Sequence, residues 1–225
     1  MKIEMVIVCV NYSDVLKISL PHNLQLVDTI CVVTNPDDQE TINICEGLEN
    51  VILVKTNRMF ENESDKFNKG KALNEGIKSI KKDGWLLISD ADTVLPKNFR
   101  SVLENNEINS SNTYGCRLRY LCPNHSEWIK YLEDERTVKE WSPRNCRMNI
   151  GAGFFQLVNC DHSTMKKNEG CWYSEDFGHC GGSDRIFWKS FAGSEQPHLR
   201  GMYVVHLGDD KQGANWKGRT TKEFK

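Results

Sequence analysis

No stretch of this sequence approaches eighteen consecutive apolar residues, which excludes a hydrophobic helix long enough to cross a membrane. The N-terminus has no h-region and no small-residue cleavage site; Ile3, Met5, Ile7 and Cys9 begin a strand pattern at once. These absences predict a soluble, unexported, cytoplasmic chain. Charge of one sign is also missing. A formal net charge of −2 argues against a surface built wholly for a polyanion, though it permits a local basic patch. The nine cysteines contain no CxxC pair. An odd count, no export signal, and Cys9, Cys31 and Cys116 inside apolar strand-like runs predict reduced, mostly buried thiols in place of a disulfide scaffold. Cys171, His179 and Cys180 match structural zinc spacing poorly. There is no internal repeat and no low-complexity segment. Gly151-Ala152-Gly153 and Gly181-Gly182 lack the spacing and strand-to-helix context of the phosphate-binding glycine loops. A bound diphosphate would therefore have to be held by a metal and side chains.

What the sequence does have is a regular alternation of short β-branched runs and helical patterns. Ile3 to Val10 reads as one apolar-rich strand, Val15 to Leu26 as an irregular, partly helical connection through Pro21, Thr29 to Thr34 as a second buried strand, and Val51 to Val54 as a third. Lys66 to Lys82 sets Leu73, Ile77 and Ile80 on one face at helical spacing, and Trp85 to Ser89 is a fourth strand. Strands apolar throughout and separated by helices predict an α/β fold, a mostly parallel central sheet with helices on both faces. At 225 residues, one domain with an elaborated second half is expected. Ligands of such sheets bind beyond the carboxyl ends of the strands. Asn11-Tyr12, Asn35-Pro36-Asp37-Asp38 and Asp90-Ala91-Asp92 all fall at strand ends, so they are expected to gather on one rim.

Asp90-Ala91-Asp92 is the stretch that organises the rest. Two carboxylates so close repel unless a cation sits between them, and oxygen ligation suits Mg²⁺ or Mn²⁺ better than Zn²⁺. The plain alternative is a solvated turn, where Asp is common. In the second half, Tyr114 to Leu121 reads as a strand. Cys122 to Ile150 has little periodicity apart from a helix expected over Glu127 to Val138; its remainder is read as a lid over the rim. Ile150 to Val158 returns to strand, and its glycines imply close backbone approach to a ligand. Ser183 is expected to N-cap a helix over Asp184 to Phe191, and Tyr203 to Leu207 is the last strand. Trp128, Trp141, Trp172 and Trp188 are read as core side chains more readily than as stacking platforms. Lys211, Lys217, Arg219, Lys222 and Lys225 form a basic tail.

Four stretches together resemble one superfamily. Phe67-Asn68-Lys69-Gly70-Lys71-Ala72-Leu73-Asn74 and the following strand ending in Asp90-Ala91-Asp92, a DXD motif, are similar to GT-A fold inverting glycosyltransferases. The likeness is to the beta-1,4-galactosyltransferase type and to the large bacterial, family 2-like class. Val32 to Thr41 occupies the place of that class's second-strand motif. Gly181-Gly182-Ser183-Asp184-Arg185 resembles the Gly-Gly-Glu-Asp region of the galactosyltransferase type, and Val205-His206-Leu207 sits where that type carries a metal-binding histidine. The resemblance implies Asp92 and His206 as ligands of Mn²⁺ or Mg²⁺, with Asp90 contacting metal or ribose. It implies Asp184 as catalytic base, and Asn11, Tyr12, Asn35, Lys69, Asn74 and Gly182 as donor-binding residues. Asn35 stands where the bacterial class has an acid, and Ser183 where the galactosyltransferase type has Glu.

The expectation is a single GT-A domain over 1–225: a nucleotide-sugar-binding half (1–95), an acceptor and catalytic half (96–210, insertion 122–149) and a basic tail (211–225). It would move a sugar from a nucleotide-sugar, with UDP the expected nucleotide, to an acceptor hydroxyl by single displacement. The acceptor stays open between a glycan, a small molecule and a modified nucleic-acid base. Glu175 and Asp176 are rival bases to Asp184. The competing functions are a nucleotide-sugar hydrolase or nucleotidyltransferase, and a non-catalytic nucleotide-sugar or glycan-binding module.

Overall fold

The computed structural model describes residues 1–60, 67–141, 143–145, 152–176, 182–208 and 223–225. Gly151, Gly181, His179, Cys180 and the tail cations Lys211, Lys217, Arg219 and Lys222 lie outside the described residues. The first half follows the expected alternation: β1 (Ile3–Val8), α1 (Ser13–Asn23), β2 (Thr29–Thr34), α2 (Gln39–Cys45), β3 (Val51–Lys55), α3 (Lys69–Ser79) and β4 (Trp85–Asp90). The segment read as an irregular connection is in fact the continuous helix α1. Pro21 falls in its last turns, and burial of Val15, Leu16 and Leu20 carries the helix through it.

After β4 come β5 (Thr93–Val94), α4 (Phe99–Asn105), β6 (Thr113–Gly115), β7 (Leu118–Cys122), α5 (His125–Glu133), β8 (Pro143–Asn145), β9 (Phe155–Asn159), α6 (Ser163–Lys167), α7 (Ser183–Ser190) and β10 (Tyr203–Leu207). Six strands form the main sheet in the order β3-β2-β1-β4-β9-β6. β1 pairs in parallel with both β2 and β4, β2 with β3, and β9 runs antiparallel to β4 and β6. Helices on both faces bury the inner strands β1, β2 and β4, which is why these read as apolar-rich runs. β1 lies between β2 and β4, so the chain leaves it first to one side and later returns on the other. That reversal opens a crevice at the carboxyl ends of β1 and β4.

A second sheet, ordered β5-β10-β7-β8, was not foreseen. The single strand expected over Tyr114 to Leu121 divides between the two sheets: β6 edges the first and β7 lies inside the second. The helix expected over Glu127 to Val138 is present as α5 followed by a 3-10 turn. α5 and the 3-10 turn Glu135–Glu140 bury Trp128, Tyr131, Val138 and Trp141 against Val94, Cys122, Val205 and Leu207. All four tryptophans named above are buried, as the core reading expected. Among the described residues, Cys9, Cys31, Cys45, Cys122 and Cys160 are free and buried, Cys116 is buried, and Cys171 is free and exposed.

Candidate active site

β4 delivers Asp90 to the carboxyl edge of the main sheet, in register with Val8 of β1. The chain then turns directly into β5, where Thr93 lies opposite His206 of β10. The Leu207 amide donates to the Asp92 carbonyl at 2.8 Å, so the two sheets are joined at this turn. His206 Nδ1 thereby comes 3.2 Å from Asp92 Oδ1. The distance is of hydrogen-bond length, but the alignment is not: Nδ1 is buried and makes no hydrogen bond of acceptable geometry. Burial alone would raise the Asp92 carboxyl, yet the charge of His206, with Arg119 and Lys69 adding to it, holds it below the ordinary range. Burial would lower His206, and Asp92 more than offsets this, so the ring is held above its ordinary value.

An unpartnered imidazole nitrogen beside a carboxylate oxygen is what a divalent ion needs from two neighbouring ligands. At ligand distances of about 2.1 Å, two ligands at right angles stand roughly 3 Å apart, close to the observed spacing. A mixed imidazole and carboxylate pair suits Mn²⁺ at least as well as Mg²⁺. Among the described residues no third His, Cys, Asp or Glu joins them. Asp90, expected to contact metal or ribose, has its Oδ1 paired with Lys69 Nζ from the first turn of α3, and its charge is also felt at His206. The two carboxylates of the DXD motif are therefore divided, Asp92 to His206 and Asp90 to Lys69.

The nucleoside side of the rim is built from the ends of β1, β2 and β3. Asn11 adopts φ of 60°, and its amide donates to Asp38 Oδ2 at 2.8 Å. Asp38 is buried; it also accepts from the hydroxyls of Thr34 and Thr41 and caps α2 through the Thr41 amide. Asn35 closes its own turn by accepting from the Asp37 amide, and its Nδ2 meets Asn57 Oδ1 at 3.3 Å. Tyr12 is half-buried at the start of α1. Asn74 does not reach this rim. It is fully buried in α3, donating to the Tyr173 carbonyl and Glu175 Oε1 and accepting from the Tyr173 amide, so it anchors the 171–175 segment.

The opposite wall carries Asp184. Gly182, with φ of 97°, stands at the N-cap of α7 in the place expected of Ser183, and Ser183 is the first helical residue. Asp184 Oδ2 accepts from the Gly153 amide at 3.1 Å and Oδ1 from the Arg185 amide at 2.7 Å. A Cβ on Gly153 would lie 3.1 Å from Asp184 Oδ2, so the close approach expected at this glycine is to Asp184. Beneath it, Gln156 donates to the Asp184 carbonyl and accepts from the Tyr173 hydroxyl. Burial, with the nearby charges of Asp184 and Asp90, pushes the Tyr173 phenol well up, so it stays a neutral donor. Of the rival bases, Glu175 is held by Arg58 at 2.7 Å and by Asn74, while Asp176 is exposed and, among the described residues, bonded to Ser174.

Gln156, Tyr173, Asn57 and Arg119 were not among the residues singled out from sequence. Each is a polar residue inside or just after an apolar strand or segment, a signal that the first half had already shown to mark the rim.

A family model described as "Glycosyl transferase family 2" matches residues 5–165. The chain belongs to this family. The match takes in the rim, the DXD motif and Gly153, and stops before Asp184 and His206. The fold is the GT-A fold of nucleotide-sugar transferases. A crystal structure of S. aureus TarS 1-349 is similar in fold, with a TM-score of 0.56, 12% identity and 92% of this chain covered; the present chain spans 60% of that one. Glucosyl-3-phosphoglycerate synthase from Mycobacterium tuberculosis, solved with Mn²⁺, UDP and phosphoglyceric acid, aligns at a TM-score of 0.47 and 14% identity, over 92% of this chain and 71% of that one. No curated protein matches the sequence.

Proposed function

We propose that this family 2 chain is a metal-dependent inverting glycosyltransferase that takes a nucleotide-sugar, with UDP the expected nucleotide, and transfers the sugar to an acceptor hydroxyl. One observation carries the reading: Asp92 and His206, far apart in sequence, meet at 3.2 Å at the carboxyl end of β4 with the imidazole nitrogen unpartnered. Asp92 and His206 would hold the ion, which when bound supplies Lewis-acid neutralisation of the leaving diphosphate. Asn11, Asn35 and Asn57 would line the nucleoside pocket, with Asp38 fixing the loops that carry the first two. Lys69 keeps Asp90 in place at the head of α3.

Asp184 is the base of this proposal. Its carboxylate is oriented by two backbone amides, which leaves lone pairs for an acceptor hydroxyl. Taking that proton as the hydroxyl oxygen attacks the anomeric carbon leaves the alkoxide charge undeveloped, a contribution of about 10²–10⁴ in rate. Attack opposite the leaving diphosphate in one step inverts the anomeric configuration. The acceptor is a glycan, a small molecule or a modified nucleic-acid base.

The test is a thermal-shift panel of nucleotide-sugars with and without Mn²⁺, followed by product stereochemistry for any hit. A ligand that binds only the folded chain raises Tm by mass action, so one metal-dependent UDP-sugar shift identifies the donor. Asp184→Asn is expected to keep that shift and lose transfer by about 10²–10⁴-fold. No metal-dependent shift with any nucleotide would sink the proposal, and full turnover in Asp184→Asn would remove the base assignment alone.

A further inference from the structure

One cation in this crevice has no task in the account above. Arg119 lies within β7, next to β10; register sets Arg119 against Val204 and Leu121 against His206, so Arg119 and His206 point to one face of the second sheet. Its guanidinium carbon lies 5.1 Å from the ring centroid of Phe154. Phe154 follows Gly153, whose amide orients Asp184. The charge of Arg119 is also felt at Asp92 and His206. The side chain therefore stands between the Asp92–His206 corner and the Asp184 wall.

Its own hydrogen bonding is incomplete. Arg119 Nε is buried without a partner, and no carboxylate forms an ion pair with the guanidinium among the described residues. Lys69, another cation of the crevice, is paired with Asp90. A desolvated guanidinium N–H without an acceptor is costly in isolation, and an anion is what would satisfy it. The planar fork matches phosphate oxygens in a way a lysine does not. We propose that Arg119 binds a phosphate oxyanion in this crevice, its fork completed only when substrate is present. The proposal rests on the glycosyl-transfer reading only for the origin of the phosphate, and proximity to Asp92 and His206 favours the donor's diphosphate over a phosphate on the acceptor.

Calorimetric titration of the wild type, Arg119→Gln and Arg119→Lys, all with Mn²⁺, separates these cases. The probes are inorganic pyrophosphate, UDP, uridine, and inorganic phosphate added over saturating UDP. Arg119→Gln is expected to weaken pyrophosphate and UDP by about tenfold or more and to leave uridine unchanged, with Arg119→Lys between the two. A loss seen only for phosphate added over UDP assigns the oxyanion to the acceptor. Equal affinities for every phosphate probe in wild type and variants, or a matching loss for uridine, overturns the role. Pyrophosphate binding that depends on Arg119 in a protein that ignores UDP would keep this role while ending the nucleotide-sugar reading. Should Arg119→Gln fail to fold, Arg119→Lys, which keeps the charge and loses the fork, carries the comparison.

Discussion

At the scale of single residues, the division of the DXD motif is the informative result. Asp92 faces an imidazole and Asp90 an ammonium, so the two carboxylates meet different needs although one residue separates them. Removing the Asp92 charge leaves His206 without its counter-charge and any ion without its anionic ligand. Asp92→Asn and His206→Ala should each weaken Mn²⁺ binding by tenfold or more, in the range seen when a ligand or its support is lost from a metal site. Manganese electron paramagnetic resonance in the presence of UDP reads this directly. Asp90→Asn serves as the contrast: its effect on Mn²⁺ should be smaller, because Lys69 already occupies Oδ1. An equal loss in Asp90→Asn would return Asp90 to the ligand set.

Among elements, α3 shows why close packing matters to the site. Asn68 caps it by accepting from the Lys71 amide, Lys69 reaches Asp90 from its first turn, and Asn74 pins the 171–175 segment from its middle. The helix lies tight on the sheet at Gly76, where a Cβ would come 2.6 Å from Val6 Cγ1 and 2.7 Å from Val33 Cγ2. In an exposed helix Gly→Ala would stabilise by about 1 kcal/mol. Here overpacking against two β-branched side chains dominates, and Gly76→Ala should cost about 1–3 kcal/mol net, measured by urea unfolding. A neutral or stabilising result would mean that the helix can lift without cost. The same elements show what was legible beforehand. β2, β10 and most of β1, β3 and β4 could be read because each is an apolar-rich run of strand length. Asp92, His206 and Asp184 could be singled out as candidates because their motifs are local. The second sheet could not: β5 and β8 are too short to show a period, and β7 pairs with strands distant in sequence. Nor could Arg119, whose role depends on which strand it faces. Asn74, expected from its motif to bind the donor, is buried and holds the 171–175 segment, since position on a helix face is settled by packing.

Over the whole molecule, one surface contact ties the start of the chain to α4. Asp28 Oδ2 accepts from the Ile3 amide at 2.8 Å and from Arg100 Nη2 at 2.8 Å, while Arg100 also donates to the carbonyls of Met1 and Leu26. The start of β1 is thereby fastened to α4, which follows the DXD turn. Burial would raise the Asp28 carboxyl, but the hydrogen bonds from Arg100 and Ile3 and the charge of Arg100 hold it below the ordinary range. A carboxylate depressed on folding contributes stability that is fully present above its unfolded value, about 3.9, and is lost as pH falls through the lower folded value. The pair is largely exposed, so the contribution is small, under about 1 kcal/mol. Asp28→Asn should accordingly melt slightly below wild type at pH 6, and the gap should close as pH is lowered below about 4. Melting curves from pH 6 to pH 3 check this. A gap that stays constant to pH 3 would show that the contact acts through packing and neutral hydrogen bonds, and that the charge on Asp28 contributes nothing.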